Sequence, residues 1–211
     1  MELEKVNLYR IVHIENVAYI LKNGMFCVGH PSFDPDNIFI GDSVLTGQRH
    51  EHPIPLAGYG NVGDYVPFYL GYRSPMLFNI QTGYRGVKKQ APAEIVYIVC
   101  KLKGFVEKGY TYVFTDGHAK NRLTRFFTDV SDLKELNWES ISALRWNNTP
   151  NNPDRMRQKQ AECLIKSEVT PDYIVALVVY DESSKIKVEN IVKEVGLGVR
   201  VFINPSQIFY F

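Results

Sequence analysis

Cysteine is scarce in this 211-residue chain: Cys27, Cys100 and Cys163 are odd in number and far apart. No CxxC pair occurs, which leaves no zinc ribbon and no redox dithiol. Cys100 and Cys163 sit inside apolar runs and read as buried free thiols of a protein in a reducing compartment. Long hydrophobic runs are missing as well. No segment approaches the roughly 20 apolar residues of a membrane-spanning helix. The opening MELEKVNLYR has no apolar signal-peptide region, so a cytoplasmic location is expected. An excess of one charge is also absent, with 24 Lys+Arg against 23 Asp+Glu. Any grip on nucleic acid must therefore come from a local patch rather than from the field of the whole molecule. The GxGxxG, GxxxxGK[ST] and GxSxG patterns do not occur, which removes Rossmann, P-loop and α/β-hydrolase readings. His50 and His52, with Glu51 between them, lack further ligands at a sensible spacing. A solvated loop is preferred there, and no metal is expected.

The remaining composition is that of an ordinary globular protein, 45% hydrophobic and 22% charged. The pattern predicts strands at Asn7 to His13, Tyr65 to Leu70, Glu94 to Leu102, Tyr110 to Thr115, Ala161 to Val169, Ile174 to Tyr180, Val199 to Ile203 and Ile208 to Phe211. Helices are expected at Asn16 to Lys22, after the Ser74-Pro75 cap, after Asn137 and over Ser184 to Val195. Two polar stretches, Val28 to Gly63 and Asn147 to Asp154, show little periodicity. Irregular segments of the first one's length are usually functional. The sum is an α+β fold in a single domain over residues 1–211, with two long functional loops.

Three segments carry polar residues where packing alone is an awkward explanation. Arg10 interrupts the apolar first strand. It either pairs inside the protein or points to solvent from an edge strand. Asp64 to Met76 is an aromatic strand running into a Ser-Pro helix start, either an anion site or ordinary core and cap. Arg155, Arg157 and Lys159 lead out of the NNTPNNPD loop into a strand that begins at Glu162. Glu162 is either a site carboxylate behind a polar loop or half of a surface ion pair.

In order and spacing these pieces resemble the DarT family of DNA ADP-ribosyltransferase toxins, from Leu8 to the last residue. The pieces are His13-Ile14-Glu15-Asn16, the Asp64-to-Met76 segment, Phe114-Thr115-Asp116 with His118, Arg125-Phe126-Phe127 and Lys159-Gln160-Ala161-Glu162. The resemblance implies an ADP-ribosyltransferase fold, a central split β-sheet flanked by short helices, with NAD as substrate and no metal. It implies Glu162 and Arg49 as catalytic residues and the loop from Val28 to Pro53 as a flap over NAD. Arg10, Ile11, Val12, His13, Tyr19, Arg49, Tyr69 and Met76 would line the NAD cleft. Arg10 departs from the family's frequent Tyr-His pair at that place. Trp146, Arg155, Arg157 and Lys159 would meet single-stranded DNA, and the commonest acceptor base is thymine. A macrodomain antitoxin of the DarG kind is the implied partner. Readings kept open are transfer to guanine, to RNA or to protein, and a binding module without catalysis.

Overall fold

The structure is a computed structural model and describes residues 2–211. Its frame is an eight-stranded sheet built from β1 (Asn7–His13), β3 (Tyr65–Tyr69), β4 (Ile95–Lys101), β5 (Tyr112–Thr115), β6 (Phe126–Phe127), β7 (Glu162–Lys166), β9 (Ile174–Val179) and β10 (Arg200–Ile203). The spatial order is β10-β9-β4-β1-β3-β7-β5-β6. Only β10 and β9 run parallel; all other neighbours are antiparallel. A two-stranded ribbon of β2 (Met25–Phe26) and β8 (Glu168–Val169) lies apart from it. The apolar runs explain the layering. Ile95 to Cys100 of β4 are all buried, as expected of a strand covered on both faces.

Along β7 the two sides separate as period-2 alternation requires. Cys163 and Ile165 enter the main core, and Leu164 enters a smaller cluster with Tyr65 and Val113. The helices are α1 (Val17–Asn23), α2 (Ser43–His50), α3 (Pro75–Thr82), α4 (Leu102–Glu107), α5 (Trp138–Ser142), α6 (Arg155–Gln158) and α7 (Glu182–Val195). The start of α3 is the Ser74-Pro75 signal made physical: the Ser74 side chain accepts from the Leu77 N–H and Pro75 occupies the first turn.

The expected split is visible as a gap in the ladder. β1 and β4 pair over seven residues, whereas β1 and β3 meet only at Tyr9 and Tyr69. The sheet therefore opens between β1 and β3, and the strand carrying Arg10 is central. This overturns the edge-strand reading of Arg10, whose Nη1 donates across the gap to the Pro67 carbonyl at 2.9 Å.

Three expectations about elements change. The stretch from Val28 to Gly63 is not wholly irregular, because Asp42 accepts from the Leu45 N–H and starts α2. Gly47 in its middle had masked the helical pattern. Residues 208–211 form no strand. They are held by side chains instead, with the Tyr210 hydroxyl donating to the Ile95 and Val178 carbonyls. The strand expected from Ala161 to Val169 breaks at Ser167, whose φ of 67° ends β7 before β8 begins. Among the described residues no helix is long and apolar enough to cross a membrane.

Candidate active site

The gap between β1 and β3 is the mouth of a cleft of about 430 Å³. Arg10, Ile11 and Val12 line one wall; Tyr65, Pro67, Phe68 and Tyr69 line the other. Residues of the 26–50 segment form its cover, and Met76 and Ile80 of α3 add an apolar side. The cover is tied down at one place by Asn16. Its amide donates to Asn37 and to the Ile38 carbonyl and accepts from the Ile38 N–H.

Glu162 stands at the start of β7, directly across the ladder from Tyr69, and its side chain reaches the cleft. Only 3% of the residue is exposed. Arg49, at the end of α2, meets it with both arms of the guanidinium. Nη1 donates to Oε1 at 2.8 Å and Nη2 to Oε2 at 2.5 Å. The Ala119 N–H donates to Oε1 at 2.9 Å. Burial works against a charged carboxyl here, but the Arg49 charge and its hydrogen bonds win, and the Glu162 pKa lies below the ordinary carboxylate range. Burial likewise opposes the Arg49 charge, and Glu162 more than offsets it, so Arg49 is held above its usual pKa. The close approach of α2 to the wall is permitted by Gly63, where a Cβ would sit 2.5 Å from the His50 carbonyl oxygen.

Two further groups complete the centre. His118 lies with Nε2 3.4 Å from Arg49 Nη1, on the turn after β5. Burial pushes its pKa down, against the pull of Glu162, so the imidazole is neutral at pH 7. The Tyr69 hydroxyl is pushed up to about 12 by burial and then by the Glu162 charge. Arg10 is the other cation in the cleft. Burial first, and then the charge of Arg49, lower it to about 10. Its hydrogen bond is to a carbonyl, so its charge waits for an anion. Chemically, the cleft offers a buried carboxylate at one end, an uncompensated guanidinium on the β1 wall and apolar surface between them.

The family model for "DarT: ssDNA thymidine ADP-ribosyltransferase" matches residues 9–211. The chain belongs to the DarT family. A DNA ADP-ribosyl transferase of Escherichia coli O127:H6 is 34% identical over 187 residues, 88% of this chain and 85% of that protein. The DarT of Thermus sp. 2.9 superposes in two solved complexes. The one with ADP-ribosylated ssDNA has a TM-score of 0.87 at 29% identity, covering 99% of this chain and 97% of that one. The one with NAD+ has a TM-score of 0.82 at 28% identity, covering 99% and 98%. A fusion of DNA ADP-ribosyl transferase and DNA ADP-ribosyl glycohydrolase from Thermosipho africanus is 24% identical over 97% of this chain and 49% of that protein. The α+β fold expected from the sequence is the DarT fold.

Of the residues expected around NAD in a DarT cleft, Arg10, Ile11, Val12, Arg49, Tyr69 and Met76 line this one together with Glu162. His13 and Tyr19 do not. The His13 ring accepts from the Glu15 N–H and caps the turn before α1. The Tyr19 hydroxyl donates to the Ser32 carbonyl and fastens the cover from outside.

The four residues expected on DNA are placed quite differently from one another. Trp146 is half-buried and packs edge-to-face on Phe78 and Phe211. Arg157 is no free cation: its Nη1 donates to Asp116 at 2.6 Å and its Nη2 to Asp154 at 2.6 Å. Lys159 is 1% exposed and donates to the Tyr72 and Ile141 carbonyls, so it cannot lie on a surface phosphate. Arg155 keeps a partly exposed side chain.

His118 has no role legible in the sequence, although it stands beside the Phe114-Thr115-Asp116 motif. Its signal was the Thr115-to-His118 turn, which becomes meaningful only once β5 is known to pair with β7.

The Asp116–Arg157 pair explains how the 147–160 segment is held to β5. Asp116 also accepts from Arg125, through Nε at 2.9 Å and the backbone N–H at 2.9 Å. Replacing Asp116 by alanine leaves Arg157 with one carboxylate and a desolvated arm. A loss of about 2–3 kcal/mol is expected, read from denaturant midpoints at constant slope.

Proposed function

We propose that this DarT-family chain transfers ADP-ribose from NAD to a thymine base in single-stranded DNA, releasing nicotinamide. The observation that carries the proposal is the buried Glu162 carboxylate, fixed by Arg49 and Ala119 at the end of the cleft. The bond from the ribose C1′ to the nicotinamide nitrogen breaks, a bond from C1′ to the base forms, and the base gives up one proton. Positive charge grows on the ribose as nicotinamide leaves. A preorganised carboxylate accepting from a ribose hydroxyl stabilises that charge more than it stabilises the ground state.

Counting lone pairs identifies the atom. Oε1 already accepts from Arg49 and Ala119, whereas Oε2 accepts from Arg49 alone, so Oε2 has the room. Arg49, with both arms on Glu162 and its charge reinforced, acts as a positioning residue and is a poor proton acceptor. A pyrophosphate clamp by Arg49 would require this pair to open. Arg10 fits the pyrophosphate better, since it is half-buried on the cleft wall, cationic and bonded only to a carbonyl. Neutral His118 stands beside the pair with its Nδ1 accepting from the Lys120 N–H, so its ring has no free acceptor for the proton of the base.

The whole chain would serve as one catalytic domain. A base on a single strand presents its edge without the cost of unpairing. The Thermosipho fusion protein joins a transferase to a DNA ADP-ribosyl glycohydrolase. The matching partner here is a macrodomain antitoxin that removes ADP-ribose, and the unpaired transferase is a cytoplasmic toxin.

The test is to incubate the protein with NAD and four oligonucleotides, each containing a single kind of target base, and weigh the products. A gain of one ADP-ribose on the thymine-containing strand alone is expected. Label on guanine, or only on RNA or protein, would replace the thymine reading.

A further inference from the structure

The β3–β7 ladder continues past its last named pair, because the Leu70 N–H donates to the Ala161 carbonyl at 3.0 Å. The chain leaving β3 at residues 70–74 therefore runs beside the chain entering β7 at residues 155–161. Both lie on the rim next to Glu162. Gly71 makes this approach possible: a Cβ there would lie 2.3 Å from the Ile141 carbonyl oxygen, the same oxygen that Lys159 reaches.

Arg73 stands on this rim in an unusual state. Its φ is 52°, in the left-handed region that an arginine seldom adopts, and its backbone N–H is held by the Tyr97 hydroxyl at 3.2 Å. Such strain persists where surrounding contacts enforce it, and it clusters at sites that bind ligands. Its guanidinium stacks over the Phe211 ring at 4.4 Å, and its buried Nε has no hydrogen-bond partner. The rim holds two more cations, Arg155 and Lys159. Among the described residues none of the three makes an ion pair, unlike Arg49, Arg125 and Arg157. Burial, and then the charges of Arg73 and Arg155, drive the Lys159 amine down to about 7. Arg73 and Arg155 are thus two permanent cations on one rim, and no carboxylate among the described residues pairs with either. Beside them, Trp146, Phe78 and Phe211 form an edge-to-face group.

The geometry points to Arg73 as a substrate-binding residue, seating a backbone phosphate of the single strand next to the base presented to Glu162, with Arg155 beside it and Phe211 and Trp146 under a flanking base. This rests on the single-stranded DNA reading above and extends it to Arg73 and Phe211, for which the sequence suggests no role on DNA. A phosphate there supplies an anion for Arg73 and Arg155, which make no ion pair among the described residues, while the buried Lys159 stays on its two carbonyls. Aromatic faces beside a phosphate track are how single strands are held without sequence preference. The pyrophosphate of NAD is the competing anion, but Arg73 does not line the NAD cleft.

The test compares the wild type with Arg73→Asn and Arg73→Lys. Asparagine tolerates the left-handed backbone, so the fold is retained. A fluorescent thymine-containing 12-mer is titrated at several salt concentrations. The slope of log Kd against log salt should flatten by about 0.7, one single-strand phosphate, in Arg73→Asn. Arg73→Lys should restore most of the slope. The KM for oligonucleotide should rise, while that for NAD stays unchanged. If the wild type modifies DNA but Arg73→Asn keeps its affinity and salt slope, the inference fails and the wider reading stands. A rise in the NAD KM with the DNA slope intact would assign Arg73 to the dinucleotide and overturn it. A wild type that neither binds nor modifies the 12-mer would sink both, and tighter binding to the matching RNA would overturn the choice of DNA.

Discussion

Glu162→Gln should cut the rate of ADP-ribose transfer by about 10²–10³-fold or more while leaving a folded protein. Glutamine keeps the shape, and its one oxygen can still accept from Arg49 or from the Ala119 N–H. What disappears is the negative charge facing the ribose as nicotinamide departs, which matters only in the transition state. The loss should therefore fall on kcat, with the KM for NAD little changed. Single-turnover measurement of nicotinamide release separates this from slow product dissociation. A variant with a raised KM and a normal rate at saturation would place Glu162 in ground-state binding, and the mechanism would have to be rewritten around another group. A thermal destabilisation smaller than that of losing Arg49 is also expected, since Arg49 is partly exposed and keeps the glutamine oxygen as an acceptor.

How much of this centre is legible without coordinates depends on the residue. The strand start at Glu162 and its alternation with Cys163, Leu164 and Ile165 follow from local pattern, as does the Ser74-Pro75 helix start. Arg49 has no local signal. It matters because α2 delivers it across 113 positions of sequence onto Glu162, and no spacing rule encodes that distance. The same holds for Arg10, where an arginine in an apolar strand is equally consistent with an edge or a centre. Only the neighbours on both sides of β1 decide, and they come from segments about 60 and 90 residues away.

The cations before Glu162 show the opposite failure. Read locally, Arg157 and Lys159 look like free charges, because charged residues after a polar loop usually face solvent. In the fold Asp116 claims one, and two carbonyls swallow the other. No local pattern marks Arg73, because its positive φ and its unpartnered Nε are properties of the fold alone.

Arg49→Met should be more damaging to stability than any other single change at the site, by about 3–5 kcal/mol at pH 7. Removing one partner of a buried pair strands the other. The double variant Arg49→Met with Glu162→Gln should recover much of that loss, because no unpaired charge is then left inside. The pH dependence gives the sign independently. In the wild type the Glu162 pKa is depressed, so its contribution is complete above the unfolded value of about 4.3 and fades as pH falls through the lower folded value. Without Arg49, burial, already the largest single influence on Glu162, is no longer outweighed and raises its pKa above the unfolded value. The carboxyl then stabilises the fold only when protonated, and that contribution is lost as pH rises through the new folded value. The gap between wild type and Arg49→Met should therefore shrink steadily from pH 7 to pH 4, as read from urea midpoints. A gap constant over that range would mean that Glu162 is solvated once Arg49 is gone. In that case the cleft end would be wet, and the carboxylate would lose the desolvated setting that makes its charge effective against the developing cation.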